Sequence, residues 1–267
     1  MAKPTQTYPT DLNDNEWAQI AQYLPKAKIT GRPREHTWRK ILNGIFYVAK
    51  NGCVWRALPH DLPPWETVYG YFRKFQQTNL WEKLNRVVRE RVRIKANKEA
   101  QASLMIMDSQ SAKSAEGGEK RGFDGGKLVS GRKRTLIVDS MGLLVFAKVT
   151  SANVQDVHAG KQTLIELSKR TELLTRLQKI IADGGYRGEL VAWVSQELHA
   201  VLEIVLKLGD HKGFQVLPKR WVVERTNAWI TRHRRLARDY ERRITNCEAF
   251  LYIAMLRLGL RRLACSK

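Results

Sequence analysis

Near Ser103 the apolar residues of this chain change their spacing, from the three-to-four-residue interval of amphipathic helices to the short continuous runs of buried strands. A chain that makes this switch once has to join an all-helical unit, residues 1–100, to an α/β unit, residues 101–267. In the first unit, Asn13 with Glu16 has the pattern of a capping box, and Trp17, Ile20, Ala21 and Leu24 form a helical stripe that stops at Pro25. Trp38, Ile41, Leu42, Ile45, Phe46 and Ala49 make a second stripe ended by Gly52. After the turn enforced by Pro59, Pro63 and Pro64, the residues Trp65, Val68, Tyr69 and Phe72 make a third. That third helix leaves Thr67, Tyr71, Arg73 and Lys74 on its outer face. Two helices joined tightly, the second with a basic exposed face, predict a helix-turn-helix-like DNA-binding unit, with a connecting helix over about 80–98.

After Ser103 the runs predict a strand from Leu104 to Asp108, a loop over 112–131, and an antiparallel hairpin of Arg134 to Asp139 and Leu143 to Thr150. A helix over about 158–176, a strand ending at Asp183, a helix from Gly188 to Leu198 and a strand from Val201 to Leu206 follow. A final helix after Pro218 carries Glu224. The order β-β-β-α-β-α-β-α is that of an RNase H-like mixed sheet flanked by helices. It brings three acids, Asp108, Asp183 and Glu224, into candidate positions at one sheet edge. Carboxylates are hard oxygen donors suited to Mg²⁺, with Mn²⁺ the alternative, and two ions per site suit displacement at a phosphodiester. Asp139 also closes a strand, but the Ser-Met-Gly after it reads as a hairpin turn. Asp156 is expected to cap the next helix, with support of the site as its other role. His158 and His233 are expected at the surface or facing DNA.

The charge points the same way. The chain has 47 Lys+Arg against 26 Asp+Glu, a formal net charge of +21, yet 43% hydrophobic residues and eight Trp, so the excess is not that of a disordered chain. A sequence pI near 10.1 calls for a polyanionic partner, read as double-stranded DNA. No apolar run of about 20 residues offers a membrane span. Cys53, Cys247 and Cys265 lie too far apart for a zinc knuckle, and with the polar start of the chain they predict a reducing, cytoplasmic setting close to the nucleoid. Around Glu224, residues 219–243 are strongly basic, so Arg220, Arg225, Arg232, Arg234 and Arg235 are candidates for DNA-backbone contacts. Lys113, Lys120, Arg121 and Lys127, with Arg257, Arg261 and Arg262, extend the track, and the leucines of the tail predict a packed helix or a self-association surface.

Several blocks resemble those of DDE transposases of bacterial insertion sequences. They are Gly52-Cys-Val-Trp-Arg-Ala-Leu-Pro, Trp65-Glu-Thr-Val-Tyr, Met107-Asp-Ser-Gln-Ser, Ala182-Asp-Gly-Gly-Tyr-Arg-Gly, Arg220-Trp-Val-Val-Glu-Arg-Thr and Arg232-His-Arg-Arg-Leu-Ala-Arg-Asp-Tyr-Glu. The resemblance covers nearly the whole chain. It implies that Asp108, Asp183 and Glu224 are the catalytic, metal-binding triad, and that the protein binds terminal inverted repeats, cuts at them and joins the 3′-OH ends to target DNA. It also implies a Tyr, an Arg and a Lys around the Glu. Arg220 fills the Arg place, whereas Leu217 and Thr231 stand where Tyr and Lys would be. Cutting and joining two ends together calls for a homodimer on DNA. A nuclease on the same fold that cuts without joining would share the metal site; a DNA-binding regulator derived from a transposase is disfavoured by the intact triad.

Overall fold

The computed structural model describes residues 8–26, 33–115, 117–206 and 221–265. In α1 (Asp14–Ile20) the Glu16 amide donates to the Asn13 side chain and the Asn13 amide to the Glu16 carboxylate, the reciprocal cap expected from their spacing. Helix α2 (Trp38–Asn51) is capped by Thr37 and stopped by Gly52, which adopts φ 73°. α3 (Trp65–Gln77) follows the proline turn, and Asn79, also left-handed, reverses the chain into α4 (Leu80–Lys95).

The strands are β1 (Leu104–Lys113), β2 (Gly122–Asp124), β3 (Val129–Asp139) and β4 (Leu144–Ser151). Next come α5 (Asp156–Ser168), α6 (Thr171–Leu174), β5 (Lys179–Asp183), α7 (Glu189–Leu198) and β6 (Val201–Val205). After these stand α8 (Trp221–Thr231), α9 (Arg234–Ala237) and α10 (Ile244–Ala264). In the sheet β3 pairs antiparallel with β1 along one edge and with β2 and then β4 along the other, while β1–β5 and β5–β6 are parallel. This mixed sheet with helices on both faces is the RNase H-like α/β class expected.

Three local expectations change. β1 does not stop at Asp108 but runs on to Lys113, because β3 pairs with it as far as Lys113 opposite Gly131. The supposed loop over 112–131 therefore contains the end of β1, the whole of β2 and the start of β3; its Gly- and Lys-rich composition hides strands made by backbone pairing rather than by an apolar face. The helix over 158–176 is broken at Arg170, whose backbone leaves the helical region and whose guanidinium pairs with Glu82 of α4.

Side chains alternate across a strand, so each face of the sheet has its own core. Met105, Met107, Ile137, Ile180 and Ala182 pack under α5 and α7 with Leu164, Leu190 and Val194. Ile106, Leu136, Val138 and Ile181 belong to the opposite core, with Val222 and Val223 of α8 and the N-terminal helices. The tail is a packed helix: α10 buries Phe250, Leu251, Ile253, Leu256 and Leu260, and Phe250 stacks on Phe72 of α3 at 4.8 Å between centroids. It is also tied to the sheet, since the Ala147 amide donates to the Tyr252 hydroxyl and the Val149 amide to Glu248. Among the described residues no helix is long and apolar enough to cross a membrane.

Candidate active site

The parallel pairing of β1 with β5 sets Leu104 opposite Lys179 and Ile106 opposite Ile181. Asp108 and Asp183 each lie two residues beyond the Ile106–Ile181 pair on these neighbouring strands. Ile106 and Ile181 belong to the core on the α8 side, and Asp108 and Asp183 have the same parity, so both carboxylates face the side that α8 covers. Each is only partly buried, and Asp183 Oδ1 accepts from the Gly185 amide at 2.9 Å, which fixes the turn after β5.

α8, which carries the third acid, packs against β1 on this side. Asn227 Nδ2 donates to Asp108 Oδ2 at 3.3 Å, and Glu224 lies three residues before Asn227 on the same helical face, exposed to solvent. The helix is anchored on the β3–β4 hairpin: the Thr226 hydroxyl donates to the Gly142 carbonyl at 2.8 Å and Arg225 to the Met141 carbonyl at 3.1 Å. Asp139 builds that hairpin as the turn reading required. Its Oδ1 accepts from the amides of Met141 and Leu143, and its Oδ2 pairs with Arg93 of α4 at 2.8 Å in a fully buried position.

Behind the carboxylates, on the opposite face of β1, the Ser109 hydroxyl bonds to the Tyr186 hydroxyl and, at 3.0 Å, to Thr135. Tyr186 is buried in the turn after Asp183, against Gly160 of α5, where any Cβ would come within 2.6 Å of the tyrosine ring. Burial pushes the Tyr186 phenol well above its usual range, and the nearby charges of Asp108, Asp156 and Asp183 push it further. Asn227 therefore contacts Asp108 directly, while Ser109 and Tyr186 tie β1 to the turn after β5, roles that periodicity could not assign. Their sequence signal is only their place within the blocks around Asp108, Asp183 and Glu224.

Asp156 does not cap α5. The cap position is Gln155, without a side-chain bond, and Asp156 instead receives the buried Lys133 ammonium at 2.5 Å. His158 is exposed; His233 is half-buried rather than at the surface, its Nδ1 without a hydrogen-bond partner among the described residues. Burial, then the charge of Lys50, holds its imidazole down to about 4.

The candidate DNA-binding residues divide. Thr67, Tyr71 and Lys74 line an open cleft with Arg34 and His36, and the Arg34 guanidinium stacks on Trp38 at 3.8 Å. Arg73 turns the other way and donates to Asn246 of α10 at 2.9 Å. Arg232 and Arg234 are exposed, whereas Arg235 is buried, paired with Glu241 and donating to the Cys53 carbonyl. Arg225 lies between the rings of Trp221 and Trp229, at 4.5 and 4.6 Å. Arg220 and Leu217 fall outside the described residues.

Asp108, Asp183 and Glu224 offer hard oxygen donors of the kind that bind divalent cations. Among the described residues no three His, Cys, Asp or Glu side chains are grouped closely enough to hold one ion together. The donor chemistry of Asp108 and Asp183 fits a divalent ion, and α8 carries Glu224 on the same side of the sheet.

Comparison with known proteins places this geometry. A family model described as “Transposase DDE domain” matches residues 99–258, and one described as “Putative transposase of IS4/5 family” matches residues 12–85. The chain is 31% identical over 133 residues to the “Putative transposase for insertion sequence element IS402” of Burkholderia cepacia, a stretch that is 48% of this chain and 60% of that relative.

Proposed function

We propose that this chain, which belongs to the family of transposases with a DDE domain, cuts DNA at the ends of an insertion element and joins the freed 3′-OH ends to target DNA. The observation that carries the reading is the parallel pairing of β1 with β5, which sets Ile106 opposite Ile181 two residues before Asp108 and Asp183, with Asn227 of α8 bonded to Asp108. Asp108, Asp183 and Glu224 would hold two Mg²⁺ ions, which when bound supply charge stabilisation to the attacking and leaving oxygens of a displacement at phosphorus. Asn227 orients the Asp108 carboxylate, the Gly185 amide fixes Asp183, and the hairpin contacts of Thr226 and Arg225 set where α8 presents Glu224. One site serves both steps. In the first, a water oxygen bonds to phosphorus and the 3′ oxygen leaves; in the second, that 3′-OH bonds to a target phosphorus and displaces the target's own 3′ oxygen.

Arg232 and Arg234 would hold the DNA backbone near the cut, while Thr67, Tyr71 and Lys74 in the cleft of the helical unit, residues 1–100, would meet the terminal inverted repeat. Arg73 and Arg235 are engaged within the fold and serve it there. Two ends joined together require two sites, so a homodimer on DNA is part of the proposal.

The test is a Mg²⁺-dependent cleavage and strand-transfer assay on the DNA flanking the gene. Asp108→Asn, Asp183→Asn and Glu224→Gln should abolish cutting and joining while DNA binding persists. Glu203→Gln, which changes an exposed acid of β6 on the same sheet, should leave both intact. Cleavage that survives loss of the triad would overturn the site, and cleavage by wild type without any joining would favour a nuclease.

A further inference from the structure

Away from the carboxylates, α2, the end of α8, α10 and Thr10 enclose a half-open pocket of about 110 Å³. Part of its wall is apolar, with Phe46 and Trp229, yet Lys50 of α2, Arg232 after α8, and Arg257 and Arg261 of α10 all line it. Arg257 is balanced, since it pairs with Glu16 and donates to the Asp11 carbonyl. Lys50, Arg232 and Arg261 have no acidic partner among the described residues. Lys50 donates only to the Arg232 carbonyl at 2.8 Å, and Arg261 to the Pro9 carbonyl at 3.1 Å.

Three polar atoms in the same pocket are also unsatisfied. Among the described residues the Thr10 hydroxyl, in a residue 6% exposed, has no hydrogen-bond partner, and neither has His233 Nδ1 or Arg257 Nε. Like charges gathered against an apolar wall cost free energy, and so does a buried hydroxyl without a partner. The repulsion registers on Lys50, whose ammonium is lowered by burial first and then by Arg261, Arg232 and Arg234. A ligand that removes both costs must be an anion, small, and rich in acceptors. Three unbalanced cations exceed the single charge of a carboxylate, whereas a phosphate monoester carries about −1.5 to −2 near neutral pH and three strong acceptor oxygens.

We propose that this pocket binds a phosphate group, with Lys50, Arg232 and Arg261 as counter-charges and the Thr10 hydroxyl as a short-range donor. The phosphate belongs either to DNA, at a strand end, or to a free phosphate compound. The site lies where the helices of the first hundred residues meet the end of α8, so a DNA phosphate held there would tie the helical unit to the helix that carries Glu224. Binding at this pocket is a claim separate from the carboxylate chemistry, and it can be tested without any cleavage.

The experiment is calorimetric titration of the full chain with inorganic phosphate at constant ionic strength, with chloride as the reference anion. Wild type should show one saturable site. Lys50→Met should weaken it at least tenfold, and Thr10→Val, which keeps shape and removes the hydroxyl, about fivefold. Melting curves without phosphate check that both variants fold. No saturable binding, or equal binding by wild type and both folded variants, overturns the proposal. A short duplex with a 5′-phosphate then separates the sources. If the ligand is DNA, the duplex displaces inorganic phosphate and Lys50→Met lowers duplex affinity; if it is a free phosphate compound, the duplex does neither while the site stands.

Discussion

Asp139→Asn keeps the shape of the side chain and removes its charge, and the surroundings of Asp139 set the consequence. The Asp139 side chain is 0% exposed and that of Arg93 6%, with 2.8 Å between Oδ2 and the guanidinium. The amide oxygen of Asn can still accept from Met141 and Leu143, and Arg93 still donates to the Glu99 carbonyl at 2.8 Å. What is lost is the counter-charge of a buried arginine, and breaking a buried pair on one side costs about 3–5 kcal/mol. The surviving hydrogen bonds put the loss near the low end, about 3 kcal/mol. For a chain of this size each kcal/mol moves the melting temperature by roughly 2–4 °C, so the variant should melt roughly 6–12 °C below wild type. Because the hairpin holds α8 through Gly142 and Met141, cleavage should fall with stability, then recover at a temperature where the variant is folded. The double change Arg93→Met with Asp139→Asn should regain most of the loss, since neither charge is then left alone. Thermal melts with cleavage measured at two temperatures decide it. Melting within about 2 °C of wild type, or cleavage absent even when the variant is fully folded, would refute the reasoning.

Gly160→Ala puts a Cβ 2.6 Å from the Tyr186 ring, and the overpacking, about 1–3 kcal/mol less the gain in helix propensity, should lower the melting point and disturb the Ser109–Tyr186 bond. His233 stays neutral in the fold because its pKa is held down from 6.5 to about 4, so the folded state resists a proton that the unfolded chain accepts. The stability linked to His233 is therefore full above about 6.5 and falls as the pH drops toward 4; denaturant titrations across that range should show a shallower fall in His233→Gln. Cys247 is fully buried, which raises its thiol far above the usual range, whereas Cys265 is exposed. Mass spectrometry after brief maleimide treatment should find Cys265 modified and Cys247 untouched until the protein is unfolded.

Much of the architecture was legible because it is written locally. Capping at Asn13, the stripes of α2 and α3 and the apolar runs of β1, β5 and β6 each depend on neighbours a few residues away, and strand parity follows from them. The order of strands and helices then places Asp108, Asp183 and Glu224 on elements that a mixed sheet brings together. Periodicity names a face but not its partner, and there the tertiary structure decided. Arg235 looks like any other arginine of the basic stretch until Glu241 folds back onto it, and Asp156 looks like a cap until Lys133, on β3, points at it. β2 has no apolar signature and exists because β3 offers an unpaired edge. The sequence by itself determined which residues could form each element and which acids stand on the fold's parallel strands. Only the tertiary structure decided which charges are spent inside the protein and which stay at its surface, because burial and pairing depend on residues brought together from distant parts of the chain.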